Sequence, residues 1–585
     1  MSSTSKRITQ LQHALSAGRA FQRALVAVDP PSPALRYADD TDALCNTLLD
    51  LQTDLEALLH RLTEKRNVLL SSIYRLHDEI FEQIFLMCTF RDPKMVVMQP
   101  NAVEHDTLTP LALSWVSRRW REVALRIPAL WTNVELCVSP SPANRLLQNP
   151  WHPGALGLEM HSEQLLSGSM YASFLERSRK DPLDFTLDLP EDAEVAEPLV
   201  EEFVLANKDR AGPRILHLKL PSGGMQGSAA IIRNSRRCLR AVQDTVEYIV
   251  MTRHGNTPFD FFLQPTLCRP SSKLEGLSLC GVTLPTRLTP GTDDLHCRFL
   301  SLDNVYLPHA INLLAACPRI EEFVLRPQAL RGWIGPSAEE LRLPNLRKCS
   351  LTATGEEIEQ FFTRIRVPRL HTLKCQVVWS RPGRGHEMRQ PRPSELRQEH
   401  ERLSTAIAQL EAVSDCVLQA LSLKGLPLEF YPTILEALPS LKSLQYHVDD
   451  DHGDMDKTLL QQMSACKLCP MLEEVVRHGE CHPQGLRHWC IFLSGRLEGE
   501  KSQSSAVSRI ERLRLPHKWH PRHFIPALGQ QKFCADVQKS LAGLVDVLVI
   551  GNVVLHKETM EWFPTTGSTD WLQTWTDDKI ESSAW

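Results

Sequence analysis

A chain of 585 residues with an apolar fraction of 42% is long enough for several domains or one extended repeat array, and too apolar to stay disordered. Its 65 basic and 70 acidic residues nearly cancel, so bulk charge draws it neither to nucleic acid nor to an anionic membrane surface. The 16 cysteines are scattered singly, many in apolar settings such as those of Cys280 and Cys375, which suits a reducing compartment, cytoplasmic or nuclear.

The N-terminal stretch lacks the apolar core of a signal peptide, and the most apolar run, 541–555, is short and broken by Asp546 and Asn552. No membrane partner is expected. Residues 1–70 read as N-terminal helices, interrupted at 29–33 by three prolines that cannot continue a helix. From 41 to 70, Leu44, Leu48, Leu51, Leu55, Leu58 and Leu62 alternate spacings of four and three, which is a heptad seam. Lys65 ends it within four heptads, so the seam serves either a short coiled coil or packing on the next segment.

Residues 71–138 carry a second helical module. Leu76, Ile80, Ile84 and Met87 make one helical stripe, and Phe81, Phe85 and Cys88 make another beside it. Together they are wider than one packing neighbour needs. After a polar loop, Leu113, Val116, Trp120, Val123 and Ile127 line one helix face, while Arg118, Arg119, Arg121, Glu122 and Arg126 fall on a solvated face. Trp120 and Trp131 stand eleven residues apart around Pro128, which stops the helix. Val134, Leu136 and Val138 then alternate as a strand.

A connector, 139–181, leads to a change of texture over 182–555. An eight-residue phrase recurs there, apolar at its third, sixth and usually eighth places and often opened by proline. Examples are SKLEGLSL from 272, PRIEEFVL from 318, PRLHTLKC from 368 and PSLKSLQY from 439. Start-to-start intervals from 272 to 368 are 23, 23, 26 and 24 residues. That period resembles leucine-rich repeats, whose units of about 20–29 residues each add one strand to a curved parallel sheet. The asparagine ladder is absent, with Val282 and Val305 where an Asn would close the turn. A Pro-, Gly- and Arg-rich insertion at about 380–403 predicts a mobile basic loop leading into a helix, and 556–585 a poorly ordered tail.

A heptad helix, then "RLHDEIFEQIF", then "SRRWREVALRIPALW", then a leucine-rich array is an order of parts that resembles F-box-like proteins of fungal type. The likeness covers about 76–135 and, more loosely, 160–555; residues 174–189 also resemble the lead-in to such repeats. The resemblance implies an α/β chain, with N-terminal helices and a helical F-box module followed by an irregular leucine-rich-repeat solenoid with a parallel sheet. It implies a non-enzymatic substrate receptor of an SCF-type cullin ubiquitin ligase. Its adaptor, Skp, would meet Leu76, Glu79, Ile80, Ile84, Phe85, Trp120 and Arg121. Trp131 matches the closing Leu-Trp of the family, and His77 stands where the family usually has Pro. The alternative is a repeat scaffold whose F-box no longer binds the adaptor.

Strand side chains alternate, so the third, sixth and eighth places of each phrase should be buried and the fifth and seventh should line the open face. Seventh-place Ser278, Val324, Ser350 and Lys374 are therefore expected to face a protein substrate; Arg381, Arg384 and Arg389 of the insertion, beside Arg392 and Arg397, either fold over a bound anion or belong to an untethered solvated loop. Cys466, Cys469, His478 and Cys481 approach zinc-ligand spacing, but Leu472 and Val475 between them fall on a strand that keeps them apart, so no metal or cofactor is expected. The arginines near 120 lack interleaved aromatics, and no nucleophile, nucleotide or metal motif stands out. Neither nucleic acid binding nor catalysis is expected.

Overall fold

The structure is a computed structural model describing residue 16 and residues 38–70, 72–89, 92–98, 109–137, 168–190, 193–208, 212–221, 228–253, 259–260, 273–283, 295–327, 340–378, 393–448, 453–464, 468–479, 485–501, 508–515, 544–550, 553–556 and 562–564. It divides into two compact units. The first comprises 1–90 and 106–131, and the second 91–105 and 132–585.

The first unit is helical. Helix α1, Ala38–Leu70, contains the heptad seam, and Leu49 and Leu58 on it are 59% and 52% exposed. A 3-10 turn, Ser72–Arg75, precedes α2, Asp78–Thr89. Asp78 and Glu79 in its first turn suit the positive end of the helix dipole. The expected single helix around Trp120 is instead two, α4 (Thr109–Val116) and α5 (Arg118–Arg126). Ser117 between them is extended, and its hydroxyl accepts from the Trp120 amide at 3.2 Å. A serine N-cap satisfies a free amide of the new helix, which a continuous helix would leave no room for. Val116 is therefore 61% exposed rather than part of the buried stripe.

Among the described residues, the second unit is built on a 16-stranded sheet. Its strands in chain order are β1 (Asn133–Cys137), β2 (Asp184–Asp188), β3 (Ile215–Leu220), β4 (Tyr248–Arg253), β5 (Gly276–Cys280), β6 (Phe299–Val305), β7 (Glu322–Pro327) and β8 (Lys348–Ala353). They continue as β9 (Thr372–Val377), β10 (Ala420–Lys424), β11 (Ser443–His447), β12 (Glu474–His478), β13 (Arg512–Leu515), β14 (Val547–Ile550), β15 (Val553–His556) and β16 (Trp562–Pro564). Each pairs with the next in sequence. Pairing is parallel through β14 and antiparallel for the last two strands. The ladder begins earlier than the repeated phrase, since β1 and β2 already pair, and β16 carries it into the segment expected to be a polar tail.

The phrase explains the burial. For SKLEGLSL the third, sixth and eighth places are Leu274, Leu277 and Leu279, at 2%, 0% and 0% exposure. Leu300, Leu302, Leu346 and Leu370 are equally enclosed. Sixth-place side chains meet the connecting helices, as Phe323 stacks on Phe361 of the helix Gly355–Arg364 with ring centroids 5.8 Å apart. That helix starts where it does because Thr354 and Glu357 cap each other's backbone amides. At the phrase's tenth place four residues are left-handed: Gly281, Gly425 and Gly479, in the turns after their strands, with φ of 66°, 76° and 92°, and Asn304, φ 56°, at a bulge near the end of β6. Glycine and asparagine adopt that conformation at the least cost.

The polar loop expected before Thr109 contains a short helix, α3, Pro93–Met98, that belongs to the second unit. Val96 and Val97 bury at 2% and 0% on the sheet face opposite the connecting helices, against Ile215, Tyr248, Val250 and Phe299. Burying each valine stabilises this seat by about 1.5–3 kcal/mol. The seat requires Gly276, where a Cβ would lie 2.7 Å from the Tyr248 ring and 3.2 Å from Val97.

Candidate functional site

The first unit offers an apolar helix face. On α2, Phe81 and Phe85 are 1% and 0% exposed and pack on Trp120, with ring centroids 5.5 and 5.0 Å away. One turn round the same helix, Ile80, Ile84 and Met87 are 46%, 37% and 78% exposed. Three large apolar side chains at i, i+4 and i+7 make a continuous stripe open to solvent. The double stripe read from sequence thus separates into an inner and an outer row. Phe85, expected at an adaptor contact, is enclosed, so its side chain is a core group of this unit. Trp120 is half-buried, and its ring fills the space between Phe81 and Phe85.

Arginines hold the two helices together. Arg119 donates from Nε and Nη2 to Asp78 Oδ1 at 3.1 and 2.8 Å, and Arg126 Nη2 donates to Asp78 Oδ2 at 2.6 Å. Arg119 also donates to the Leu76 carbonyl and lies over the Phe81 ring, 4.9 Å from its centroid. These two are clamps rather than members of a free solvated face. The Arg119 and Arg126 hydrogen bonds hold the Asp78 carboxyl below its usual range. Arg121 is exposed, and its Nε donates to the Ser114 carbonyl at 3.0 Å. Leu76 is half-buried, and Glu79 and His77 are exposed. Trp115, at the end of α4, is 66% exposed and was not singled out by the periodicity.

The second unit offers a groove on the open sheet face. A cavity of about 700 Å³ is floored by the fifth, seventh and ninth places of β7 to β13 and edged by Asp92 and α3 through Lys94, Met95 and Met98. Register places Val324, Ser350, Lys374, Ser422, Gln445 and Val476 side by side as one row. Val324, Ser350 and Lys374 are half-buried there, as the phrase predicts. Ser278 is not open: it is 1% exposed, on the strand that α3 contacts. Arg381, Arg384, Arg389 and Arg392 lie outside the described residues. Arg397 is on the helix Pro393–Ser414 and pairs with Glu401 at 3.2 Å.

Charge in the groove is unevenly matched. Glu322 accepts from Lys94 at 2.8 Å and lies 3.3 Å from Lys348. Glu474 accepts from the Ser443 hydroxyl at 2.7 Å. Lys374, in the middle of the row, forms no ion pair with a carboxylate among the described residues. Burial, helped by Lys348, pushes its pKa down to about 8. Sequence reading carried the row only as far as Lys374. Ser422, Gln445 and Val476 follow from the same phrase at 416, 439 and 470, and the apolar run Met95–Met98 inside a polar stretch was the signal for α3.

Cys466 and Cys481 lie outside the described residues, Cys469 is buried with its thiol against the Leu435 and Leu438 carbonyls, and His478 Nε2 is 2.6 Å from the Gln445 amide. Among the described residues no group of three potential metal ligands converges, and no helix is long and apolar enough to cross a membrane. The chain matches no family model and no curated protein.

Proposed function

We propose that the chain is the substrate-recognition subunit of an SCF-type cullin ubiquitin ligase, working in the cytoplasm or nucleus. It is a non-catalytic receptor whose F-box helices take the Skp adaptor and whose leucine-rich-repeat sheet holds a protein substrate. One observation carries this reading. Helix α2 turns Phe81 and Phe85 inward onto Trp120 while keeping Ile80, Ile84 and Met87 in solvent. An exposed row of large apolar groups on a short helix suits docking in a partner's groove. The order of parts supports the same assignment, because the sheet that follows repeats the leucine-rich phrase strand after strand. Co-purification of the full chain with Skp and cullin tests it. Recovery of both at micromolar concentration is the expected result. Absence of Skp puts in its place a repeat scaffold whose F-box no longer binds the adaptor, the outcome that exposed His77 in the family's Pro position favours.

A further inference from the structure

We propose that the sheet groove takes an anionic side chain, a carboxylate or a phosphorylated hydroxyl, from an extended acidic segment of the substrate. Lys374 is its counter-ion, and the Ser350 and Ser422 hydroxyls are its hydrogen-bond donors. The inference rests on the reading of this sheet as the substrate-holding surface, and names what that surface recognises.

Three features point the same way. Ser350 and Ser422 are the direct cross-strand neighbours of Lys374 in the parallel register, so the two serines flank the Lys374 side chain on one face. Ser422 is 4% exposed, and its Oγ has no hydrogen-bond partner among the described residues although it lines the cavity. A buried hydroxyl left unpaired is costly, and a ligand oxygen removes that cost. The other lysines of the groove, Lys94 and Lys348, share Glu322, whereas Lys374 pairs with no carboxylate among the described residues. A desolvated cation beside two serines is matched best by an anion, whose charge-assisted hydrogen bonds are stronger than those of a neutral acceptor.

The dimensions select an extended segment. From Glu322 on β7 to Arg512 on β13 the groove crosses seven strands. At the usual inter-strand spacing that is about 29 Å, the reach of roughly nine extended residues. Met95 and Met98 make one wall apolar, so side chains flanking the anion have an apolar surface to rest on.

Three immobilised peptide libraries test this with the full chain: five random residues on each side of a fixed Glu, phosphoserine or Gln. Capture by the Glu or the phosphoserine library is expected to exceed capture by the Gln library at least five-fold. Which of the two does so tells a carboxylate from a phosphate ligand. Lys374→Met is expected to reduce capture to the Gln level, and Ser422→Ala to lower it several-fold, with melting temperature unreduced in both. Equal capture by all three libraries, or full capture by folded Lys374→Met, overturns the proposal. Skp co-purification reads the other unit. Its loss with anion-dependent capture intact defeats the receptor reading alone, and lost capture with Skp still bound defeats this inference alone.

Discussion

Lys94 Nζ lies 2.8 Å from Glu322 Oε1, linking a helix that precedes Thr109 to a strand more than two hundred residues later. Lys348 approaches the same carboxylate at 3.3 Å. One glutamate, 14% exposed at its side chain, thus serves two cations, and the groove's next cation, Lys374, forms no ion pair with a carboxylate among the described residues. The ion pair also fixes the end of α3 whose valines are buried on the face, so the helix forms a wall of the groove.

The seat of α3 has one residue that decides it. Gly276→Val introduces a Cβ too close to the Tyr248 ring and to Val97, and overpacking of this kind costs about 1–3 kcal/mol. The expected result is faster proteolytic cutting within 91–105, with strands β9 to β13 still protected from hydrogen exchange. Unchanged cutting would mean that α3 is held by the Lys94–Glu322 pair and not by its apolar face.

The two rows of α2 should answer differently to substitution. Ile84→Asp and Met87→Asp place a charge at an already exposed position, so melting is expected to stay within the ±0.5 kcal/mol usual for surface changes while Skp co-purification falls ten-fold or more. Phe85→Ala opens a cavity beneath Trp120 and costs about 3–5 kcal/mol, read as a lowered melting midpoint. If Ile84→Asp leaves adaptor recovery unchanged, the exposed row is not the docking face.

Much of the sheet was legible because its signal repeats. A single phrase with leucine at the third, sixth and eighth places is weak, but register forces each copy to bury the same positions, and Leu277, Leu300, Phe323, Cys349 and Leu373 do so strand after strand. Legibility failed where one residue overrides a period. Ser117 splits the expected helix by capping, which a hydrophobic stripe cannot register, and Val116 is exposed as a consequence. Segment 93–98 was hidden for another reason: it is too short to show a period, and its partners on β3 to β6 are distant in sequence. The groove was half legible. Seventh places could be named, but that Ser278 is covered and that Lys374 pairs with no carboxylate among the described residues depends on which neighbours arrive.

The left-handed residues at the phrase's tenth place make a test independent of any partner. Asn304→Gly is expected to be nearly neutral, since glycine adopts the φ of 56° freely, whereas Asn304→Val should cost about 1–2 kcal/mol. Gly425→Val should cost more, because a Cβ there also lies 2.5 Å from the Val377 carbonyl oxygen. Melting midpoints of the three variants rank them. Equal effects of Asn304→Gly and Asn304→Val would remove backbone strain as the reason for the choice of residue.

Lys374 predicts a pH dependence whose sign is fixed by its surroundings. Burial lowers its pKa from 10.5 to about 8 in the folded chain, so below pH 8 both folded and unfolded forms carry the proton and the full cost of the buried charge is present. Between pH 8 and 10.5 the unfolded chain holds more protons than the folded one, and this group's contribution to stability therefore rises with pH. Lys374→Met removes the cost at every pH. The variant is expected to be more stable than the native chain at pH 7, by an amount of the order of 2 kcal/mol, and the gap should narrow by pH 9.5. Denaturant midpoints of both proteins at the two pH values measure it. An anion seated on Lys374 raises its pKa and restores charge pairing, so the pH 7 gap should also shrink when an acidic peptide captured from the library is added. A Lys374→Met variant less stable than the native chain at pH 7 would show that the ammonium already has a stabilising partner, and the groove would lose its vacant counter-charge.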